Sequence, residues 1–166
     1  MGKKDEYPQF ITFEVEESAI NTLTTEEVNI PVDYDANEIV EFLYLEGRQT
    51  LPERVDNTET YSQFSLREKT QTTIGFESDD DVVVRNELYR DTEVGAAGET
   101  EVLSNLHNVK IDLRKGGMGI LYPFNTIVAH IAGIGSSANK MSFKGRLFYR
   151  FVKISSQEII QALRSE

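Results

Sequence analysis

Apolar and charged side chains alternate in the C-terminal part of the chain, and this alternation constrains the fold more than any other feature of the sequence. From Phe143 to Phe151 the odd-numbered positions are apolar or glycine, whereas Lys144, Arg146 and Arg150 lie between them. A period of two places successive side chains on opposite faces of a β-strand. The segment 143–154 is therefore predicted to be a long strand with an apolar face in the core and a basic face outside it.

Shorter runs of the same kind recur along the chain and are separated by turn residues. We expect strands at residues 10–16, 28–32, 61–68, 70–76, 82–89, 109–113 and 127–131. Pro31 confines the second of these to a sheet edge or a strand end, because proline cannot donate a ladder hydrogen bond. Many short strands with Gly-rich and Asp-rich turns predict an all-β fold, an antiparallel β-sandwich or barrel. At 166 residues the chain suits one domain over residues 1–166, with residues 1–9 as an N-terminal extension.

Residues 38–46 are harder to interpret, because they are apolar at both odd and even positions. Their β-branched and aromatic content and the following Gly47 favour a strand over a helical turn. Such a strand needs cover on both faces, from the core on one side and from a neighbour or a second subunit on the other. We expect the flanking residues 45–60, and residues 91–101 further on, to be loops.

The C-terminus is the segment that we predict to be helical, over residues 155–164. Ser155 and Glu158 have the spacing of a capping box, in which each satisfies a backbone N–H of the first helical turn. Ile159, Ile160 and Leu163 fall on one face of that helix. The sequence thus predicts a β-sandwich that ends in a short amphipathic helix.

Charge is distributed unevenly along the chain. Residues 1–105 contain 25 acidic and 8 basic residues, a net charge of −17, whereas residues 106–166 contain 3 acidic and 9 basic residues, a net charge of +6. Two oppositely charged stretches can give surfaces that attract copies of the same chain, because complementary potentials steer and register association. The basic stretch includes Lys144, Arg146 and Arg150 on one strand face and Lys140 in the preceding loop.

Known catalytic and metal-binding patterns are missing from the sequence. The chain has no cysteine, and its histidines, His107 and His130, are 23 positions apart, so a zinc or cupin-type site lacks ligands. Residues 133–138 lack the spacing of a nucleophile elbow, and residues 95–100 hold a glutamate where a phosphate loop needs lysine. Asp79, Asp80 and Asp81 are interpreted as solvated turn acids rather than as a calcium loop. We therefore predict no catalytic residue, no metal site and no cofactor.

The order of these features resembles a family of viral proteins. The last long strand, with residues 146–154, runs into a short capped helix. Near the other end of the chain, Ile30-Pro31-Val32 leads into the early strand at residues 38–43. In this layout the chain is similar to the single jelly-roll capsid proteins of tailless viruses of bacteria and archaea. The resemblance implies a jelly-roll sandwich and a subunit located in the virion and made in the host cytoplasm.

The resemblance also implies the partners. A capsid subunit binds other copies of itself and can bind other capsid proteins, and contact with an internal viral membrane is compatible with this family. Direct binding of nucleic acid is not expected, because the chain carries a net charge of −11 and has no basic N-terminal arm. The expected mechanism is repeated head-to-tail contact between a basic and an acidic face, which closes into rings or shells when the rotation permits.

Taken together, the sequence predicts a non-enzymatic, self-assembling shell subunit. The candidate subunit-interface residues are Lys140, Lys144, Arg146, Arg150, Ile39, Glu41 and Leu43. The alternative is a non-enzymatic β-sandwich binding module, such as a lectin-like or virion-attachment domain, that presents the loops 45–60 and 91–101. A jelly-roll enzyme is the third class, and the two isolated histidines argue against it.

Overall fold

The computed structural model describes residues 8–55, 58–76, 79–90, 106–155 and 157, and these residues form nine β-strands. The strands are β1 (Gln9–Glu16), β2 (Thr24–Asn29), β3 (Glu38–Thr50), β4 (Thr60–Arg67), β5 (Val82–Arg90), β6 (Leu106–Asp112), β7 (Ile120–Tyr122), β8 (Thr126–Ile134) and β9 (Ser142–Lys153). The described residues contain no helical stretch with the length and hydrophobicity needed to span a lipid bilayer.

The strands form two antiparallel sheets that pack face to face. Sheet A has the order β1-β9-β3-β6, and the short strand β7 pairs with β3 beyond the end of β6. Sheet B has the order β2-β8-β4-β5. With β6 and β7 counted as one interrupted strand, the two four-stranded sheets have the strand order of an eight-stranded jelly roll. The predicted all-β, antiparallel sandwich is thus confirmed, and the strand order makes it a jelly roll.

Aromatic rings fill the space between the sheets. The ring of Phe143 from β9 stacks on Phe64 from β4, with centroids 3.8 Å apart, and Phe13 from β1 lies 5.7 Å from Phe143. Gly145 and Gly47 face each other across β9 and β3, and a Cβ atom at either would overlap the Phe143 ring. Burial of large rings supplies much of the stabilisation of a core of this size. The two glycines therefore make room for the ring that joins the two sheets.

The alternation predicted along β9 has the expected phase. Leu147 and Tyr149 point into the core, and Phe151 is partly buried against it. Lys144, Arg146 and Arg150 are exposed on the other side of the strand. The period of two was therefore sufficient to orient this strand.

A β-bulge explains why residues 38–46 are apolar at both parities. The pairing of β3 with β9 shifts between Phe42 and Tyr44, so that Leu43 is the extra residue. Val40 and Phe42 point into the core before the bulge, and the odd-numbered Leu45 does so after it. A bulge adds one residue to one strand and reverses the in–out phase beyond it. The strand interpretation was correct, and β3 continues to Thr50, so the predicted loop at 45–60 begins six residues too early.

Other expectations need correction. Residues 70–76 form no strand, and β2 ends at Asn29, before Ile30 and Val32. Strand β7 was not predicted, because three residues after a Gly-rich turn carry too little periodicity to be recognised. Gln9 already belongs to β1, while residues 1–7 of the expected extension lie outside the described residues, as do the loop at 91–101 and most of the helix at 155–164.

Candidate interaction surface on sheet A

The basic residues predicted on β9 lie in the middle of the outer face of sheet A. Strand β9 pairs with β1 on one side and with β3 on the other, so its outward side chains from Lys144 to Phe148 each have two cross-strand neighbours. Lys144 stands between Glu14 and Arg48, and Arg146 stands between Thr12 and Glu46. The acidic and the basic parts of the sequence therefore meet within one sheet, side by side.

Several of the positive charges have partners in the same subunit. The ammonium group of Lys144 lies 2.7 Å from the Glu14 carboxylate, and both side chains are exposed. Lys140 donates a hydrogen bond of 2.8 Å to the backbone carbonyl of Ser18. Exposed pairs of this kind contribute little to stability. The sequence had suggested that the acidic and the basic residues would lie on two separate surfaces. These contacts show acidic and basic side chains together on the same face.

Arg150 differs from Lys144 because its partner is buried. The Glu41 carboxylate accepts hydrogen bonds from the Arg150 guanidinium and, at 2.6 Å, from the backbone N–H of Gly119. Burial is the largest influence and raises the pKa of Glu41, but the bonds from Arg150 and Gly119 outweigh it and hold the pKa below its usual range. This ion pair fastens the turn before β7 to the sheet. Replacing Arg150 would therefore disturb the fold as well as the surface.

The interface candidates on β3 are also less accessible than the sequence suggested. Ile39 is 1% exposed and Glu41 is 3% exposed, whereas Leu43 at the bulge is half-buried. Both Ile39 and Glu41 are thus covered within the subunit and offer almost no surface to a neighbour. Of the predicted set, Lys140, Lys144, Arg146 and Arg150 are exposed, and Arg150 is bonded to the buried Glu41.

A row of three aromatic rings crosses the outer face of sheet A from β1 to β3. The rings of Tyr44 and Phe148 stack with centroids 4.1 Å apart, and Phe10 lies 5.5 Å from Phe148. The Arg146 guanidinium lies 5.1 Å from the centre of the Phe10 ring, and the Lys110 ammonium lies 5.7 Å from that of Tyr44. Phe10 is 51% exposed. Rigid aromatic side chains beside cations are typical anchors of protein interfaces.

An open groove of about 1050 Å³ runs over this face beside the aromatic row. Its charged lining residues are Glu14, Glu46, Arg48, Lys110, Lys144 and Arg146. Arg48 and Lys110 were missed, since Arg48 falls in a segment expected to be a loop and the pairing of β6 with β3 cannot be counted from the sequence. The alternation of Lys110 with buried Val109 was the signal that could have placed it on this face.

His130 and Asp81 are bonded to other parts of the same subunit. His130 is fully buried, and its two ring nitrogens lie 3.1 Å from the backbone N of Gln71 and 3.2 Å from the carbonyl oxygen of Val128. Asp81 makes a two-pronged ion pair with Arg67. In the part of the chain that the structure describes, no three His, Cys, Asp or Glu side chains are arranged to hold a metal ion.

Comparison with known proteins gives likeness at the level of overall shape. No protein-family model and no curated protein sequence matches the chain. VP1 of the Trichodysplasia spinulosa-associated polyomavirus, in complex with GM1 oligosaccharide, is 10% identical at a TM-score of 0.48, over 91% of this chain and 94% of that one. A mutant VP1 pentamer of the Washington University polyomavirus is 13% identical at 0.43, over 91% of this chain and 96% of that one.

A third solved structure belongs to a larger protein. The VP2 subviral particle of infectious bursal disease virus is 15% identical at a TM-score of 0.39, and the match covers 96% of this chain but 36% of that one. All three TM-scores lie below 0.5, so we draw no conclusion about function from them. The jelly-roll assignment stands on the strand order of the two sheets.

Proposed function

We propose that this chain is a self-assembling subunit of a viral capsid shell. The observation that carries the proposal is the outer face of sheet A, an open surface that combines charges of both signs with a row of aromatic rings that ends at the exposed Phe10. Such a surface suits a protein partner, because aromatic anchors supply contact area and alternating charges fix the register. The step from an interaction surface to a capsid rests on analogy with the jelly-roll fold.

The contact that we propose is made by Lys140, Lys144 and Arg146 together with Leu43, and it extends to the aromatic row. Arg150, Glu41 and Ile39 act in the same contact by holding β3, β7 and β9 in place beneath it. A groove lined by both signs receives a neighbour whose charges alternate in the opposite sense. If the contact is heterologous, repetition of it gives a ring or a closed shell.

The finer parts of the proposal concern the virus. We place the protein in the virion of a tailless virus of bacteria or archaea and propose that it is made in the host cytoplasm. Its partners are other copies of itself and other capsid proteins, and an internal membrane is a further candidate for contact. The net charge of −11 favours protein partners over direct contact with nucleic acid.

Size-exclusion chromatography with light scattering, followed by negative-stain electron microscopy, tests this function. A shell subunit forms large particles of uniform diameter, alone or when it is co-expressed with a second capsid protein. A lectin-like or virion-attachment module remains a small oligomer in both experiments. A monomer at every concentration and salt level, with and without the second protein, would refute the proposal.

A further inference from the structure

A second concave site lies away from the outer face of sheet A, where three parts of the chain meet. These parts are residues 50–54 at the end of β3 and just after it, the end of β5 at Arg90, and the loop at 138–140 between β8 and β9. The cavity that they enclose has a volume of about 280 Å³. Its charged lining residues are Glu53, Arg54, Arg90 and Lys140.

The carboxylate of Glu53 is occupied by the neighbouring loop. It accepts hydrogen bonds from the backbone N–H groups of Ser137 at 2.9 Å, Ala138 at 2.8 Å and Asn139 at 3.3 Å. The hydroxyl groups of Ser136 and Ser137 donate two more, at 3.0 and 2.8 Å. The bond from Ala138 is the largest influence, and together the loop bonds lower the pKa of Glu53 to about 2. The loop thus forms an anion nest that Glu53 already fills.

Among the residues that the structure describes, none forms an ion pair with the cations of the cavity. The loop donors hold the Glu53 carboxylate, mostly through its Oε2 atom, and within the described residues Glu53 makes no ion pair with these cations. Arg54 and Arg90 are both half-buried, and neither guanidinium has a hydrogen bond or an ion pair within the described ranges. Lys140 bonds to the backbone carbonyl of Ser18, which is uncharged. Three positive charges therefore line the cavity beside one negative charge that is bonded elsewhere.

The walls of the cavity are fixed by further hydrogen bonds. The Thr60 hydroxyl donates to the carbonyl oxygen of Glu53 at 2.6 Å, and Thr60 is the register partner of Arg90 in sheet B. On the other wall, Asn21 bonds both the backbone N–H and the carbonyl of Ser136, at 3.0 and 2.8 Å. These bonds hold the backbone that carries the arginines, so the site needs little rearrangement to bind, and planar guanidinium groups favour recognition of an oxygen anion.

We propose that this cavity binds a small oxygen anion, a phosphate or carboxylate group, between Arg54, Arg90 and Lys140. Planar guanidinium groups match such anions with paired N–H···O bonds, and the ammonium adds a point charge. The volume fits a single anionic group and not a large ligand. The site is separate from the proposed assembly surface except for Lys140, which borders both.

Isothermal titration calorimetry of the intact chain tests the site. Inorganic phosphate and acetate are titrated separately at constant ionic strength set with sodium chloride, so that general screening does not change. We expect saturable binding of at least one anion with one site per chain. We expect Arg54→Gln and Arg90→Gln each to weaken it at least tenfold. Arg114→Gln is the matched control, because Arg114 is exposed and paired with Asp112, and it should leave the binding constant unchanged.

Each result of these titrations either supports or overturns the proposed anion site. Saturation that is lost in Arg54→Gln and Arg90→Gln but kept in Arg114→Gln supports the site, and the preferred titrant identifies the anion class. Heats that never saturate, or that change equally in all three variants, would show general charge attraction and overturn the proposal. Circular dichroism and the thermal midpoint of each variant establish that it is folded before titration. Assembly is not required for binding, so failure of the shell proposal would leave this result standing.

Discussion

The outer faces of the two sheets differ in what covers them. No described residue covers the outer face of sheet A, and charged pairs such as Lys144 with Glu14 are exposed there. The outer face of sheet B is partly covered by the connection between β4 and β5, which we call the strap and define as residues 68–76 and 79–81. Ser65, Arg67 and His130 point outward from sheet B, yet all three are buried beneath the strap.

The strap is held by hydrogen bonds to those buried side chains. Ser65 donates to the carbonyl of Ile74 at 2.6 Å, and Arg67 donates to the carbonyl of Thr73 at 3.1 Å and to Asp81. The imidazole of His130 accepts the backbone N–H of Gln71. The same kinds of residue therefore have different roles on the two faces. On sheet B they attach the chain to itself, and on sheet A they remain available to a partner.

The largest expected difference is between the loss of stability on replacing Arg67 of sheet B and that on replacing Arg146 of sheet A. Replacing Arg67 by Met should lower the free energy of unfolding by about 3–5 kcal/mol, because it leaves the Asp81 carboxylate and the strap carbonyl without their partner. Replacing Arg146 by Met on sheet A should change it by about 0.5 kcal/mol or less, as expected for an exposed side chain. Urea denaturation of both variants measures this. Equal losses of unfolding free energy in the two variants would contradict the difference between the covered face of sheet B and the open face of sheet A.

A smaller effect is expected at Gly75 in the strap, whose φ angle is 84°. A Cβ atom there would overlap the Arg67 guanidinium, which cannot move freely because it is bonded to Asp81. Gly117, in the turn before β7, has a φ of 87° but open space around it. Gly75→Ala should therefore cost about 1–3 kcal/mol more than Gly117→Ala. Thermal unfolding of both variants checks this, and equal costs would mean that the strap is loosely packed.

Acidification should first destabilise the outer face of sheet B, where His130 lies beneath the strap. Burial is the main influence on His130 and lowers its pKa, with a further contribution from Arg67, while the Val128 carbonyl and Asp81 act in the opposite direction. The unfolded chain then binds the proton more readily than the folded chain between this lowered pKa and the ordinary value of about 6.5. The stability contribution is complete above that ordinary value and is lost as the pH falls through this window.

The carboxylates of Asp81 and Glu41 affect the stability at a lower pH than His130 does. Asp81 and Glu41 have lowered pKa values, so their contributions persist until the pH falls below their ordinary ranges, under about 4.5. Between about pH 7.5 and 5.5, the free energy of unfolding should fall in the wild type and fall less in His130→Gln. The same slope in both proteins would mean that His130 is not the group that titrates.

The smallest expected effect is the coupling between Lys144 and Glu14. A double-mutant cycle with Lys144→Ala and Glu14→Ala should give about 0.2–1 kcal/mol, because both side chains are exposed and the pair is screened by salt. A coupling above about 2 kcal/mol would show that this pair stabilises the monomer in the way that buried pairs do. In that case the charges of sheet A could not be regarded as available to a partner.

Local periodicity predicted most of the sandwich. The phase of β9 followed from its alternation, and the outward placement of Lys144, Arg146 and Arg150 followed from the phase. Residues 70–76 were assigned wrongly because their alternation is also compatible with a strap whose backbone bonds to side chains such as Arg67 and Ser65. Nothing within a short window distinguishes these two uses of the same pattern.

The make-up of the candidate surface was less predictable than the fold. Which strands stand next to β9 depends on pairing between residues more than one hundred positions apart, such as Glu14 with Lys144. For this reason the sequence could not show that acidic strands flank the basic one, or that Tyr44, Phe148 and Phe10 form one row. The bulge at Leu43 likewise depends on the partner strand.

The most direct test of the central claim compares the assembly of the wild type with that of the Lys144→Glu, Arg146→Glu double variant. Arg150 is left intact, because its partner Glu41 is buried and the fold must not change. Sedimentation velocity at about 50 mM and about 1 M salt separates charge from apolar contact, since the Debye length falls to ~3 Å at the higher value. We predict that the wild type forms large particles at low salt and that the double variant, although still folded, remains small. Particles of the same size from both proteins would contradict the claim that the outer face of sheet A mediates assembly.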